Sequence, residues 1–193
     1  MDDSLMNQGA VFLAVGDELL DGRVRDRHLQ TAGRVLGECG IELKHAHVFP
    51  DHIPRLVPWL QETVQHAEIL WISGGLGPTD DDKTVEMVSQ AFDLPMTHDA
   101  SVKAHIDAMA KAVGRERLDR NDRQSRVPQG ASVWLNQAGT APGLCLEVKG
   151  CVVVLMPGVP SEFNWLTDNF MLPLLKERFV RESVFEERLR CFG

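Results

Sequence analysis

The stretch SGGLGPTDDDKT at 73–84 puts three glycines and three aspartates directly after the apolar run 69–72. These are the residues of the chain whose types and spacing most directly suggest chemistry. Glycines at Gly74, Gly75 and Gly77 let backbone N–H groups approach an anion without a Cβ in the way. Three successive aspartates repel a bare phosphate. Together they suggest a phosphate accompanied by a divalent cation, with amides and a helix dipole facing the oxygens and carboxylates facing the metal. A glycine-rich turn with positive φ is the plainer alternative.

Such a site needs elements to hold it. Residues 10–15 read as a buried strand, followed by GDELLDG as a loop. Residues 26–39 read as a helix with Leu29, Gly33 and Leu36 on one face and Gly40 after its end. A second strand is expected over 41–49, and a helix over about 53–66 with Asp51 as its cap and Pro54 and Pro58 near its start. The third strand is 68–73, and the helix after it carries Val85, Met87, Val88 and Phe92. This β-α-β-α-β-α order favours a mainly parallel sheet covered on both faces. Ligands then bind beyond the carboxyl ends of the strands. Parallel strands would bring Gly16-Asp17-Glu18, Asp51 and the 74–84 loop to one edge.

The second half reads differently. A helix near 99–113 has Asp99 as cap and Val102, Ile106, Met109 and Val113 on one face. RERLDRNDRQSR at 115–126 reads as a charged surface segment. ASVWLN, GLCLEVKG and CVVVLM read as strands, the last two joined by a tight turn at Lys149-Gly150. A final helix is expected over 161–179. The fold class is therefore α/β, a three-layer αβα arrangement with a mainly parallel but mixed sheet. Residues 10–179 form the domain, 1–9 an extended or disordered start, and 180–193 a tail or the start of a further segment.

Composition narrows the function. The 193 residues carry 28 acidic and 20 basic side chains, a net charge of −8, which argues against a general nucleic-acid surface. No run of about 18 apolar residues suggests a membrane span. Cys39, Cys145, Cys151 and Cys191 show neither a CxxC nor a His-x-Cys pattern. They read as buried thiols of a cytoplasmic protein.

Four segments together resemble the CinA family, named for competence/damage-inducible protein A: AVGDELLDG at 14–22, SGGLGPTDDDKT at 73–84, NDRQ at 121–124 with NQAGTAPG at 136–143, and MPGVPSE at 156–162. They match its amino-terminal domain, which shares a fold with the molybdopterin-binding domains of molybdenum-cofactor biosynthesis proteins. Leu76 and the Asp81-Asp82 pair point to the CinA branch, since the cofactor-adenylating enzymes usually carry threonine after the two glycines. The resemblance implies metal-dependent hydrolysis of ADP-ribose-type pyrophosphates with Mg, Mn or Co. Its alternatives are molybdopterin binding with adenylyl transfer, or a non-catalytic oligomerisation domain. It also implies a nucleotide or pterin-type ligand and a homo-oligomer.

The resemblance assigns Asp82, in the first turn of a helix, a catalytic or metal role, with Asp81 in the same shell. Complementing the helix dipole is the plainer role for Asp82. Asp80 or Thr79 is expected to cap that helix, and Thr84 to bond a phosphate or the preceding backbone. Asp51 completes a metal site or orients water, and it could cap the 53–66 helix at the same time. Asp17 and Glu18 bind metal or a ribose hydroxyl, or simply start a helix. Pro78 belongs with the glycine loop. Gly158, Pro160, Ser161 and Glu162 form a second loop-to-helix junction for an anion or pterin, with Ser161 as cap the plain reading. Asn121 and Gln124 reach a base or pterin edge, or are merely exposed. Arg123 pairs with a phosphate. Residues 139–143 shape a pocket wall or a hairpin loop. His45 and His47 share a strand face without a third ligand in view.

Overall fold

The computed structural model describes residues 9–51, 56–112, 114 and 119–179, without the side chains of 119–121. Its centre is a six-stranded sheet in the order β2-β1-β3-β8-β7-β6. Strands β1 (Ala10–Val15), β2 (Leu43–Phe49), β3 (Ile69–Ser73) and β8 (Cys151–Met156) run parallel. The strands β7 (Gly143–Val148) and β6 (Ser132–Trp134) continue the sheet by antiparallel pairing.

β1, β3 and β8 are buried throughout, so their apolar runs feed two cores by simple alternation. Phe12, Trp71 and Val154 face one side, with α2 (His28–Glu38), α6 (Pro160–Leu166) and α7 (Leu172–Arg178). Leu13, Ile72 and Leu155 face the other, with α3 (Leu56–Thr63) and α4 (Thr84–Ala91). The three-layer αβα arrangement follows. Trp71 stacks on Phe163 at 5.3 Å and donates its indole N–H to the Met156 sulfur, which ties strand to helix within one core.

Several elements differ from expectation. The GDELLDG stretch is not a plain loop, because Asp17–Leu20 form a one-turn helix, α1. The buried face of α2 is His28, Ala32, Val35 and Leu36, while Leu29 stands 37% exposed. The run 32, 35, 36, 39 keeps helical spacing and fixes the rotation. Gly40 ends this helix as expected at φ 72°, with Ile41 N–H bonded to Leu36 O. The expected last helix is broken: a π turn at Thr167–Met171 separates α6 from α7. Pro173 lacks an N–H and its ring crowds the carbonyl four residues earlier, which widens the preceding turn. A separate antiparallel pair, β4 (Met96–His98) with β5 (Arg126–Pro128), was not foreseen.

Other expectations hold. Asp99 Oδ1 accepts the N–H groups of Ser101 and Val102 and caps α5 (Ala100–Ala112). Lys149 and Gly150, at φ 51° and 85°, make the β7–β8 turn. Of the charged 115–126 segment, Asp119–Ser125 form a 3-10 turn in which Gln124 and Ser125 are buried rather than exposed. Cys39 and Cys151 are buried and Cys145 is only partly so. Residues 1–8, Pro54, Val113, Cys191 and the tail 180–193 lie outside the described residues, as does the start of the expected 53–66 helix. Among the described residues no helix is long and apolar enough to cross a membrane.

Candidate functional site

The four parallel strands all end at one edge, and the chain leaves each of them through a segment named above. β1 and β3 are neighbours whose onward connections run to opposite sides, β1 to β2 and β3 toward β8. A crevice at such a switch point is where open α/β sheets bind ligands. A cleft of about 400 Å³ opens there, lined by Glu18, Asp51, the loop 74–79, Asp81, Asp82, Gln124, Thr140, Ala141, Gly158 and Glu162. Its size suits a small-molecule ligand.

Strands β1 and β2 are joined at this edge by a reciprocal pair. Asp51 Oδ2 accepts the Asp17 N–H at 3.0 Å, and Asp17 Oδ1 accepts the Asp51 N–H at 3.4 Å. Each carboxylate spends one oxygen on the other's backbone, and of the two Asp51 lines the cleft while Asp17 does not. Burial raises the Asp51 carboxyl above its usual range. The Asp17 N–H bond opposes this, and the charges of Asp17, Glu18 and Asp82 add to the rise. An acid crowded by acids is an unbalanced charge that a cation would relieve. Among the described residues, however, no three His, Cys, Asp or Glu side chains stand close enough to ligate one ion between them.

Asp82 is not in the first turn of a helix. α4 begins at Thr84, with Lys83 in the cap position and no capping side chain. Asp82 instead closes a turn, its Oδ2 accepting the Thr79 N–H at 3.0 Å and the Thr79 hydroxyl at 2.5 Å. Neither Asp80 nor Thr79 caps α4. Asp80 is exposed and paired with Arg123 at 3.2 Å. Arg123 also bonds Glu86 and the Thr79 carbonyl, so this guanidinium clasps the loop to α4.

The glycines have a packing reason of their own. Gly74 and Gly75 adopt φ of 100° and 69°, as a turn requires. A Cβ on Gly74 would strike the Val15 carbonyl, one on Gly75 the Thr84 hydroxyl, and one on Gly77 the Asp82 carboxylate at 2.5 Å. Gly158 meets Gly74 backbone to backbone, its position for a Cβ 3.3 Å from the Gly74 Cα. The loops after β3 and β8 therefore interlock. Thr84 lies beneath them, fully buried, with its N–H on the Gly75 carbonyl and its hydroxyl without a partner among the described residues.

At the far wall, Glu162 receives the Asn136 amide at 2.7 Å. Burial raises the Glu162 carboxyl, and the Asn136 bond opposes this. Asn136 is itself fully buried and donates to Ala141 O, while a Cβ on Gly139 would collide with the Glu162 carboxylate. Sequence reasoning named these loops but not Asn136 as the residue that orients Glu162. Gln124 donates to the Leu76 carbonyl at 3.4 Å and lines the cleft. Pro160 lines a neighbouring cavity. Ser161 is exposed within α6 and does not cap it; Val159 holds that position without a capping side chain. The Asn121 side chain lies outside the described residues.

Fold and cleft define a molybdopterin-binding-type domain, and comparison with known proteins agrees. The family described as a probable molybdopterin binding domain matches residues 11–177, and the chain belongs to it. Within it the chain is of the CinA type. A putative competence-damage inducible protein of Bacillus cereus is 34% identical over 95% of this chain. The chain spans 45% of that relative's length. A crystal structure of CinA from Thermoplasma acidophilum superposes with a TM-score of 0.78 at 28% identity, covering 87% of this chain and 98% of that one. The molybdopterin biosynthesis enzyme MoaB from Thermus thermophilus shares the fold at a TM-score of 0.53 and 16% identity, covering 91% of this chain and all of that one.

Proposed function

We propose that this domain is a divalent-metal-dependent hydrolase of nucleotide pyrophosphates of the ADP-ribose type, acting in the cytoplasm. The observation that carries the reading is the meeting of Glu18, Asp51, Asp81 and Asp82, from three strand ends, in one cleft walled by a glycine loop. The raised Asp51 carboxyl fits a cation there, because its acidic neighbours leave negative charge unbalanced. Asp81 and Asp82 would hold the ion together with water and substrate phosphate oxygens, a habit of magnesium-type ions that keep few protein ligands. When bound, such an ion neutralises pyrophosphate charge and acidifies its water.

The chain's own residues supply the rest. The 74–77 loop positions one phosphate beside the β3 end, with Gln124 and Glu162 along the wall of the cleft. The free oxygen of Asp51 accepts a proton from the attacking water. Water adds to one phosphorus, the bridging P–O bond breaks, and ADP-ribose yields AMP and ribose 5-phosphate.

The test is turnover of ADP-ribose by purified protein with magnesium, manganese or cobalt. Asp82→Ala is expected to lower kcat at least 100-fold, a loss of roughly 2.7 kcal/mol of transition-state stabilisation, while the fold stays intact by circular dichroism. Absence of turnover with every metal, or an equally active variant, defeats the reading. The family's description, a probable molybdopterin binding domain, favours a second reading, pterin binding, to which adenylyl transfer would be added. Tight pterin retention and ATP-dependent adenylation would select it.

A further inference from the structure

The acids of the cleft do not form one cluster. Asp51 feels the charges of Asp17, Glu18 and Asp82. The Glu162 carboxyl answers only to burial, which raises it, and to the Asn136 bond, which opposes the rise. Glu162 follows the end of β8, and three strand spacings separate β8 from β2, which leads to Asp51. That is about 14 Å. Glu162 makes no ion pair among the described residues. It is a lone acid in the wall opposite Asp51.

This acid is aimed. Asn136, two residues beyond β6, is fully buried. Its amide hydrogens go to Glu162 Oε2 at 2.7 Å and the Ala141 carbonyl at 2.9 Å, and its amide oxygen accepts the Ala138 N–H at 3.0 Å. His105 of α5 holds the same loop from behind, its Nε2 lying 2.8 Å from the Asn136 carbonyl and 3.1 Å from the Gly139 carbonyl. Both partners are acceptors, so that nitrogen carries a proton. Gly139 closes on the carboxylate, where a Cβ would collide. One oxygen of Glu162 is therefore fixed on Asn136. The other, Oε1, has no partner among the described residues, yet it is not sealed off as the Thr84 hydroxyl is. Glu162 is only half-buried and lines the cleft, so a ligand reaches Oε1.

A carboxylate oxygen with no cation beside it repels phosphate and calls for a donor. Adenine flanks its one amino group with ring acceptors, which the same oxygen repels. Ribose offers adjacent hydroxyls that turn to donate, and an acid on a ribose hydroxyl is how dinucleotide-binding folds hold the sugar. In the reading above, one phosphate lies beside the β3 end. β8 is the next strand, about 5 Å further on, the distance of a sugar ring. We propose that Glu162 Oε1 accepts a ribose hydroxyl of the bound nucleotide, and that Asn136 is the positioning residue that aims it. The inference rests on a nucleotide lying in the cleft, and it adds that the site selects ribose over deoxyribose.

The experiment is calorimetric binding in magnesium of AMP, its 2′-deoxy and 3′-deoxy analogues, purine riboside 5′-phosphate (which lacks the amino group) and inorganic pyrophosphate. At least one deoxy analogue is expected to bind about tenfold more weakly than AMP, the loss of one charge-assisted hydrogen bond. Purine riboside 5′-phosphate should match AMP. Glu162→Ala should bring the deoxy ratio below about twofold without weakening pyrophosphate. Asn136→Asp keeps the shape but turns an acceptor toward Glu162, and should erase the preference in the same way. Glu162→Ala decides the matter even where Asn136→Asp fails to fold. Absence of AMP binding, equal binding of the deoxy analogues, a preference that survives either folded variant, a parallel loss of pyrophosphate, or dependence on the amino group instead of a hydroxyl would each overturn the proposal. Binding is read apart from turnover. A protein that prefers ribose without hydrolysing ADP-ribose keeps this proposal and loses the reaction, and one that hydrolyses it without preferring ribose does the reverse.

Discussion

Asp51 sits where three other acids press on it, and that has a measurable consequence. Its carboxyl is raised above the ordinary aspartate range, first by burial and then by like charges. A raised acid holds its proton more tightly in the folded than in the unfolded chain. Its cost to stability is absent below the unfolded pKa. The cost grows as pH rises through the interval up to the folded pKa, then stays constant. Asp51→Asn removes the charge while its amide oxygen can still accept the Asp17 N–H. The variant is expected to melt above the parent at pH 7 in EDTA, with the gap closing toward pH 4. Manganese should narrow the gap by stabilising the parent alone. Calorimetry across pH checks this, and a parent that melts higher at pH 7 without metal contradicts it. The convergence of Asp51 and Glu18 was legible in the sequence because parallel strands must end together. The burial of His28 against Ser73 was not, since the two lie 45 residues apart.

At the scale of elements, the glycine loop keeps its shape because α4 and the 119–125 turn grip it. Arg123 joins Glu86, Asp80 and the Thr79 carbonyl, and Gln124 holds the Leu76 carbonyl. Arg123→Ala removes the first clasp. The expected result is faster hydrogen exchange over residues 77–83 with little change over β3, a stability loss of about 1 kcal/mol, and a larger fall in kcat than in substrate affinity. Exchange mass spectrometry separates this from global loosening, in which β3 would speed up as well. The clasp could not be read from sequence, where Arg123 looked like a surface charge free for phosphate. β1, β3 and β8 were readable because strands buried on both faces are apolar without interruption. β4 and β5, three residues each, carry too little pattern to announce themselves. The rotation of α2 was misread because Leu29 outweighed the alanine and cysteine that complete its buried face.

Taken whole, the molecule sets a site of interlocking loops on the edge of a sheet whose centre is dry, and the two regions should open at different costs. Cys151 reports on the centre. It lies fully buried on β8, between β3 and β7, and burial pushes its thiol up to about 12. At pH 8 such a thiol is thiolate in roughly 1 of 10⁴ molecules, so alkylation must await exposure. Cys145 is held at about 11 and is partly exposed on β7, nearer the antiparallel margin of the sheet. Iodoacetamide labelling followed by peptide mapping across a urea series is therefore expected to give two curves. Cys151 should label with the midpoint of the circular-dichroism transition, because only global unfolding, at about 5–15 kcal/mol for a domain, uncovers it. Cys145 should label earlier, through local opening that spares β3 and β8. Coincident curves would mean that the antiparallel margin unfolds with the centre, and labelling of Cys151 ahead of the transition would place β8 outside the cooperative core. If the curves separate as expected, the parallel half that carries the cleft is the rigid part of the fold. The glycine loops then owe their fixed shape to a core that does not open when the margin does.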